Sequence, residues 1–305
     1  MNMAPSISVQ ELYDICKGAN PPTIIDTLPP EYCECGRIPG AVNACVYEMV
    51  FLEKVTTLIS GHNTPIVVYG SSGRSHGAAV AAKKLVRAGY VDVRELAGGI
   101  EAWESAGFPL EPDGAKKIEN PTLEAGRYVL DPAVSRLEWI GRNLNNRHMG
   151  TLRLEGGEVL YGQGEFVGGR VTLAMDTITD LDLKDEEYRS MLIRHLTSDD
   201  FFDVVRHPTA SYTITGSEAL PEAAPGSPNY LIKGGLELNG IARSLSLPTE
   251  IVPMGKGQLK AHAAIDIDRT LWGVIYGSGR FFEKLGMHLV SDMISIEFFL
   301  VAERG

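Results

Sequence analysis

The sequence predicts two domains of different class: an α/β unit with a parallel sheet flanked by helices, then an all-β antiparallel barrel with one inserted helix. Three observations predict this. Strand and helix signals alternate over the first third of the chain. A polar stretch marked by Pro112, Gly114, Pro121 and Gly126 follows. Beyond it, apolar residues alternate with period two almost to the end. At 305 residues the chain has room for two cores.

In the first third, Thr23-Ile24-Ile25-Asp26 is a short β-branched run after Pro21-Pro22. Pro65-Ile66-Val67-Val68-Tyr69 is apolar on both faces, as a buried parallel strand should be. Residues 75–89 are rich in Ala, Lys and Leu and end at Gly89, which predicts a helix with a glycine cap. Residues 91–96 read as a third strand and 100–107 as a short helix. The expected boundaries are residues 6–112 for the first domain, 113–125 for the linker and 126–304 for the second.

In the second domain, Leu152 and Leu154 alternate with charged neighbours, as do Val171, Leu173 and Met175 with Thr172 and Ala174. Tyr212 with Ile214, Leu236 with Leu238, Leu245 with Leu247, Ile265 with Ile267, and Ile294, Ile296, Phe298 and Leu300 repeat the rule. Glu155-Gly156-Gly157, Val167-Gly168-Gly169 and Leu238-Asn239-Gly240 read as turns. Residues 184–203 interrupt as a helix placing Tyr188, Leu192 and His195 on one face.

The net charge of -11, without a basic run, argues against nucleic-acid binding and against docking on anionic membranes. No apolar stretch is long enough to cross a bilayer as a helix. The first ten residues lack a basic n-region and an apolar h-region, so a cytoplasmic location is expected. The cysteines, Cys16, Cys33, Cys35 and Cys45, form no secreted disulfide framework and no paired CxxC. No H-x-H or H-x-x-x-H spacing occurs among the seven histidines, so no metal site is expected.

Ile25-Asp26, then Arg37-Ile38-Pro39-Gly40-Ala41-Val42-Asn43, Ile66-Val67-Val68-Tyr69, Gly98-Gly99-Ile100-Glu101-Ala102-Trp103 and Gly107-Phe108-Pro109-Leu110 together resemble the rhodanese (sulfurtransferase) family. The family's chemistry needs a thiolate where a strand turns into a helix, with backbone N–H groups lowering its pKa. The resemblance aligns that cysteine with Gly70, in the loop Gly70-Ser71-Ser72-Gly73-Arg74-Ser75. Arg74 comes one residue early, Leu28 stands where the family usually has an arginine, and Arg37 replaces its histidine. A scaffold without sulfur transfer is expected, with the Gly/Ser loop still offering N–H groups to an anion. The competing class is a sulfurtransferase or thiol-redox enzyme using Cys33, Cys35 or Cys45. A third is an interaction module in which this domain docks a protein partner, or the chain forms a homodimer.

Tyr128-Val129-Leu130-Asp131, Leu137-Glu138-Trp139, His148-Met149-Gly150-Thr151 and Arg194-His195-Leu196-Thr197-Ser198-Asp199-Asp200-Phe201-Phe202-Asp203 open a second resemblance. Gly234-Gly235-Leu236-Glu237-Leu238-Asn239-Gly240 and Asp268-Arg269-Thr270-Leu271-Trp272-Gly273 complete it. In this order they resemble the YceI family of lipocalin-like barrels, which enclose isoprenoid-type or other long-chain lipids. The family usually has Lys at Arg243 and Phe at Trp272, and most members carry a secretion signal. The resemblance implies a bound polyisoprenoid or quinone. An eight-strand barrel has an interior just wide enough for side chains or one slim ligand. The expected lining is Trp139, Phe166, Leu173, Met175, Tyr212, Ile214, Leu236 and Leu238, with glycines 162, 164, 168, 169, 234 and 235 thinning the wall. Arg147 and His148, beside Asn145 and Asn146, are expected at a headgroup together with His195.

Overall fold

A computed structural model of the chain describes residues 4–112 and 121–305, so most of the expected linker lies outside the described residues. The chain divides into two compact units, Met1–Asn120 and Pro121–Gly305.

The first unit runs β1 (Ser6–Ile7), α1 (Val9–Cys16), β2 (Thr23–Asp26), α2 (Pro30–Cys35), β3 (Val42–Asn43), α3 (Phe51–Leu58), β4 (Ile66–Tyr69), α4 (Gly77–Arg87), β5 (Val93–Leu96) and α5 (Gly99–Ser105). The sheet order is β1-β5-β4-β2-β3, and every pairing is parallel. All four residues of β4 are buried, as its two-faced apolar pattern requires. One apolar cluster holds Val68 with α3 and α4, and another holds Val67 and Tyr69 with α1 and Trp103 of α5, so helices cover both faces. α1, α2 and α3 are only six to eight residues long, too short to stand out in the sequence. Packing stabilises them, with the Ser8–Glu11 capping box closing the start of α1.

The second unit runs β6 (Gly126–Leu130), β7 (Arg136–Arg142), β8 (Arg147–Gly162), β9 (Glu165–Ala174), α6 (Glu186–Thr197), β10 (Thr209–Ala219), β11 (Tyr230–Leu238), β12 (Ile241–Gly255), β13 (Gln258–Asp268) and β14 (Met293–Arg304). The strands pair antiparallel from β8 in order through β14, and β14 returns to β6 and β7, which also pair with β8. β6 and β7 share one position, because Pro132 interrupts the strand and an Asx turn at Asp131 re-aims it. The result is a closed eight-strand barrel.

Hairpins β8–β9, β11–β12 and β12–β13 close on two-residue turns, Gln163-Gly164, Asn239-Gly240 and Lys256-Gly257, with positive φ at both positions. These are type I′ geometries, which match the strand twist. Two expected turns are corrected. Glu155-Gly156-Gly157 lies inside β8 and Val167-Gly168-Gly169 inside β9. The ladder shifts register between Leu154 and Gly156, a bulge that bends the strand. A Cβ on Gly157 would stand 2.3 Å from the Arg170 carbonyl oxygen, so glycine permits close approach here. Gly162 and Gly164 likewise belong to the β8–β9 hairpin end rather than to the wall.

α6 is shorter than the expected 184–203 helix. Asp185 caps its start by accepting from the N–H groups of Glu187 and Tyr188, and the helix ends at Thr197. Residues 198–207 then turn back, with Asp203 N–H donating to the Ser198 carbonyl at 2.8 Å.

Candidate functional site

Apolar side chains from the barrel strands converge on two adjoining chambers. The outer one has a volume of about 280 Å³ and the inner one about 130 Å³. Leu137, Leu173, Leu236, Ile267 and Ile296 line both and form the neck between them. The inner chamber is lined by aliphatic and aromatic residues, among them Phe166, Tyr212 and Ile214. Tyr212 is amphipathic: its ring faces the chamber while its hydroxyl donates to the Leu245 carbonyl at 2.7 Å. The outer chamber takes Trp139, Met175, Leu238, His148 and His195. The structure therefore divides the expected lining residues between two levels of one interior.

Polar groups gather at one end. His148, Arg142, Asn143, His195, Arg269 and Ser291 line the outer chamber with the α6 residues Leu192 and Leu196. Arg147 is a correction: it is exposed and lines neither chamber. β7 and β8 pair Arg142 with Arg147, and it is Arg142 that lines the chamber. Asn145 and Asn146 are spent on the turn, their N–H groups donating to Asn143 Oδ1 at 2.8 and 2.7 Å. Tyr188 shares α6 with Leu192 and His195, but it is 64% exposed and borders an outer groove instead.

His195 packs edge-on against Phe201 and Tyr276, with centroids at 5.0 and 4.6 Å, and its Nε2 lies 3.9 Å from Asp200 Oδ2. His148 Nδ1 lies 3.2 Å from Asp182 Oδ2 and 4.0 Å from Asp180 Oδ2. Burial pushes the Asp182 carboxyl up, but the Met149 N–H and the His148 ring outweigh it and hold it below its usual value. The segment carrying both aspartates lies directly on β8. Thr179 N–H donates to the Thr151 carbonyl at 3.0 Å and Leu181 N–H to the Met149 carbonyl at 2.8 Å. Gly150 makes this possible: a Cβ there would sit 1.7 Å from the Thr179 carbonyl oxygen. Neither aspartate was singled out in the sequence, where they look like solvated loop acids.

Arg269 is 1% exposed and charged. Its guanidinium donates to the carbonyls of Ser291, Val274, Tyr276 and Val290 at 2.6 to 3.3 Å, and Asp292 Oδ1 is 4.0 Å away. It ties the 269–292 loop across the cavity end. Trp139 Nε1 has the opposite character. It is buried with no hydrogen-bond partner among the described residues, on a side chain that lines the outer chamber.

In the first unit, the Gly70–Ser75 loop spans from β4 toward α4, and its carbonyls at Gly70 and Ser71 accept from the N–H groups of Ile100 and Glu101 at 2.9 and 3.0 Å. A Cβ at Gly70 would meet its nearest neighbour, Ala78 N, at 3.4 Å, so a side chain fits there and the sequence simply lacks one. Cys33 is 3% exposed, and burial together with Asp26 pushes its thiol up to about 11. Cys45 is buried, and all four cysteines are free.

A family model described as the YceI-like domain matches residues 128–302, and one described as the rhodanese-like domain matches residues 8–106. No curated protein matches the chain. Among solved structures, Burkholderia cenocepacia BcnA is 20% identical, with 56% of this chain and 98% of that one covered at a TM-score of 0.44. A polyisoprenoid binding domain from Saccharophagus degradans is 11% identical, with 60% and 100% covered at 0.43. A rhodanese-related protein from Thermoplasma volcanium is 24% identical, with 35% and 96% covered at 0.30.

Proposed function

This chain belongs to the YceI-like domain family and carries a rhodanese-like domain before it in sequence, and from that premise we propose that its barrel binds one long apolar lipid of polyisoprenoid or quinone type. The observation that carries the reading is the two-chamber interior, apolar throughout its depth and polar only at one end. An isoprenoid tail gains about 0.8 kcal/mol per buried methylene, so several prenyl units bind without a polar anchor. Trp139 Nε1 supports a headgroup with an acceptor oxygen, since a buried donor without a partner is costly. His148 and His195 stand at the same end for headgroup discrimination.

Native mass spectrometry of gently purified full-length protein tests this. One apolar molecule per chain is expected, extractable by organic solvent. Bare protein that also fails to take up an added prenyl quinone would refute lipid binding and favour the interaction-module reading.

The rhodanese-like unit serves in this reading as a scaffold, docking or anion-binding module without catalysis. Gly70 supports it, and so does Cys33, whose raised pKa leaves it a protonated thiol near neutral pH. The free cysteines are consistent with the reducing conditions of a cytoplasm. Thiosulfate-to-cyanide sulfur transfer should stay at background, and Gly70→Cys alone should not restore it, because Leu28 and the early Arg74 leave the anion unsupported. Turnover that disappears on mutating Cys33, Cys35 or Cys45 would count decisively for the enzyme reading.

A further inference from the structure

We propose that His148, Asp180 and Asp182 bind one divalent transition cation of the Zn2+ or Mn2+ class at the polar end of the barrel cavity. The site does not depend on the lipid reading. The three side chains bring one ligand atom each, all within 4.8 Å of one another. Each carboxylate is anchored through one oxygen: Asp182 Oδ1 accepts from Met149 N–H at 2.7 Å and Asp180 Oδ1 from Leu183 N–H at 2.8 Å. Their other oxygens, both Oδ2, are left facing His148 Nδ1 at 3.2 and 4.0 Å. Backbone anchoring of this kind fixes the direction of a metal ligand.

The buried aspartate is what requires an occupant. Asp180 is 5% exposed, its side chain is wholly buried, and its Oδ2 has no hydrogen-bond partner among the described residues. An ionised carboxylate oxygen out of water without a donor is strongly unfavourable. Asp182 cannot help, because an ionised carboxylate only accepts. An imidazolium at His148 reaches Asp182 but stands too far from Asp180 to bond both. A cation among the three atoms satisfies all of them. With metal–ligand bonds of about 2.0 to 2.2 Å, tetrahedral ligand atoms lie roughly 3.3 Å apart, within 1 Å of the separations from His148. One imidazole and two carboxylates suit Zn2+ or Mn2+. Cu+ prefers sulfur, and Ca2+ needs more oxygens than this set supplies. Remaining coordination positions are left for water or another oxygen ligand.

Full-length protein, stripped with chelator and freed of lipid, should be titrated with Zn2+ and with Mn2+ by calorimetry. Metal content after dialysis and thermal unfolding complete the test. One ion per chain and a raised Tm are expected. Asp180→Asn and His148→Ala should each weaken binding at least about 10-fold, the scale on which even outer-shell partners act. His262→Ala, whose ring pairs with Glu297, should bind as the parent does. If Asp180→Asn does not fold, Asp182→Asn gives the same readout. Absence of saturable one-to-one binding overturns the proposal, as does undiminished binding in the folded variants. So does a metal-indifferent protein that Asp180→Asn stabilises, since the two carboxyls would then share a proton.

Discussion

Leu236→Glu and Leu173→Glu should each lower lipid affinity at least about 100-fold. Both residues stand at the neck shared by the two chambers, so any tail reaching the inner chamber must pass them. A carboxylate there meets an aliphatic ring of Leu137, Ile267 and Ile296 with no partner. Burying it unpaired costs several kcal/mol, and each 1.4 kcal/mol is about tenfold in affinity. If the carboxylate recruits water instead, the tail loses its apolar surroundings and the outcome is the same. Circular dichroism must show the barrel intact before the loss is read as a binding effect. Leu173→Trp offers a milder version, narrowing the neck while leaving it apolar. It should shorten the longest tail retained without abolishing binding. Full retention of a long lipid by the folded Leu236→Glu protein would mean that the tail does not thread this neck. His148→Ala and His195→Ala should change headgroup preference more than total affinity, because the tail supplies most of the binding energy.

Arg269→Met should destabilise the barrel unit by about 3 to 5 kcal/mol, the cost typical of breaking a buried charged contact. Four carbonyls now accept from one guanidinium, and methionine offers them nothing. At roughly 2 to 4 °C per kcal/mol for a domain of this size, Tm falls by on the order of 10 °C. Arg269→Lys should recover only part of this, because an ammonium cannot span carbonyls that a planar fork reaches together. Thermal or urea unfolding checks both variants. A shift under about 2 °C in Arg269→Met, less than about 1 kcal/mol on that scale, would mean that the loop carbonyls find water once the arginine is gone.

The sequence by itself determined the class of each half. Strand-helix alternation and the two-faced apolar run at Ile66–Tyr69 specify a covered parallel sheet. Period-two alternation from Leu152 to Leu300 specifies strands with one face inward, and it picked out Leu173, Leu236 and Leu238 because alternation is a property of neighbours along the chain. Asn239-Gly240 announced its turn for the same reason: the φ requirement is local. That glycine stands at position 70, where the rhodanese resemblance aligns the family's cysteine, was also legible in the sequence.

Only the tertiary structure decided what depends on register and on distant encounters. Arg142 lines the cavity while Arg147, its cross-strand partner on the same face of the β7–β8 ladder, does not, a difference that no pattern along the chain announces. Gly156-Gly157 bends a strand rather than ending it, a choice made by β9 lying alongside. Arg269 looks like any surface arginine until four carbonyls from two segments close around it. His148 meets Asp180 and Asp182 only because Gly150 lets a later segment lie against β8. No spacing rule finds such a group. Its ligands are neighbours through backbone hydrogen bonds between separate parts of the chain, and periodicity within either part carries no trace of the other.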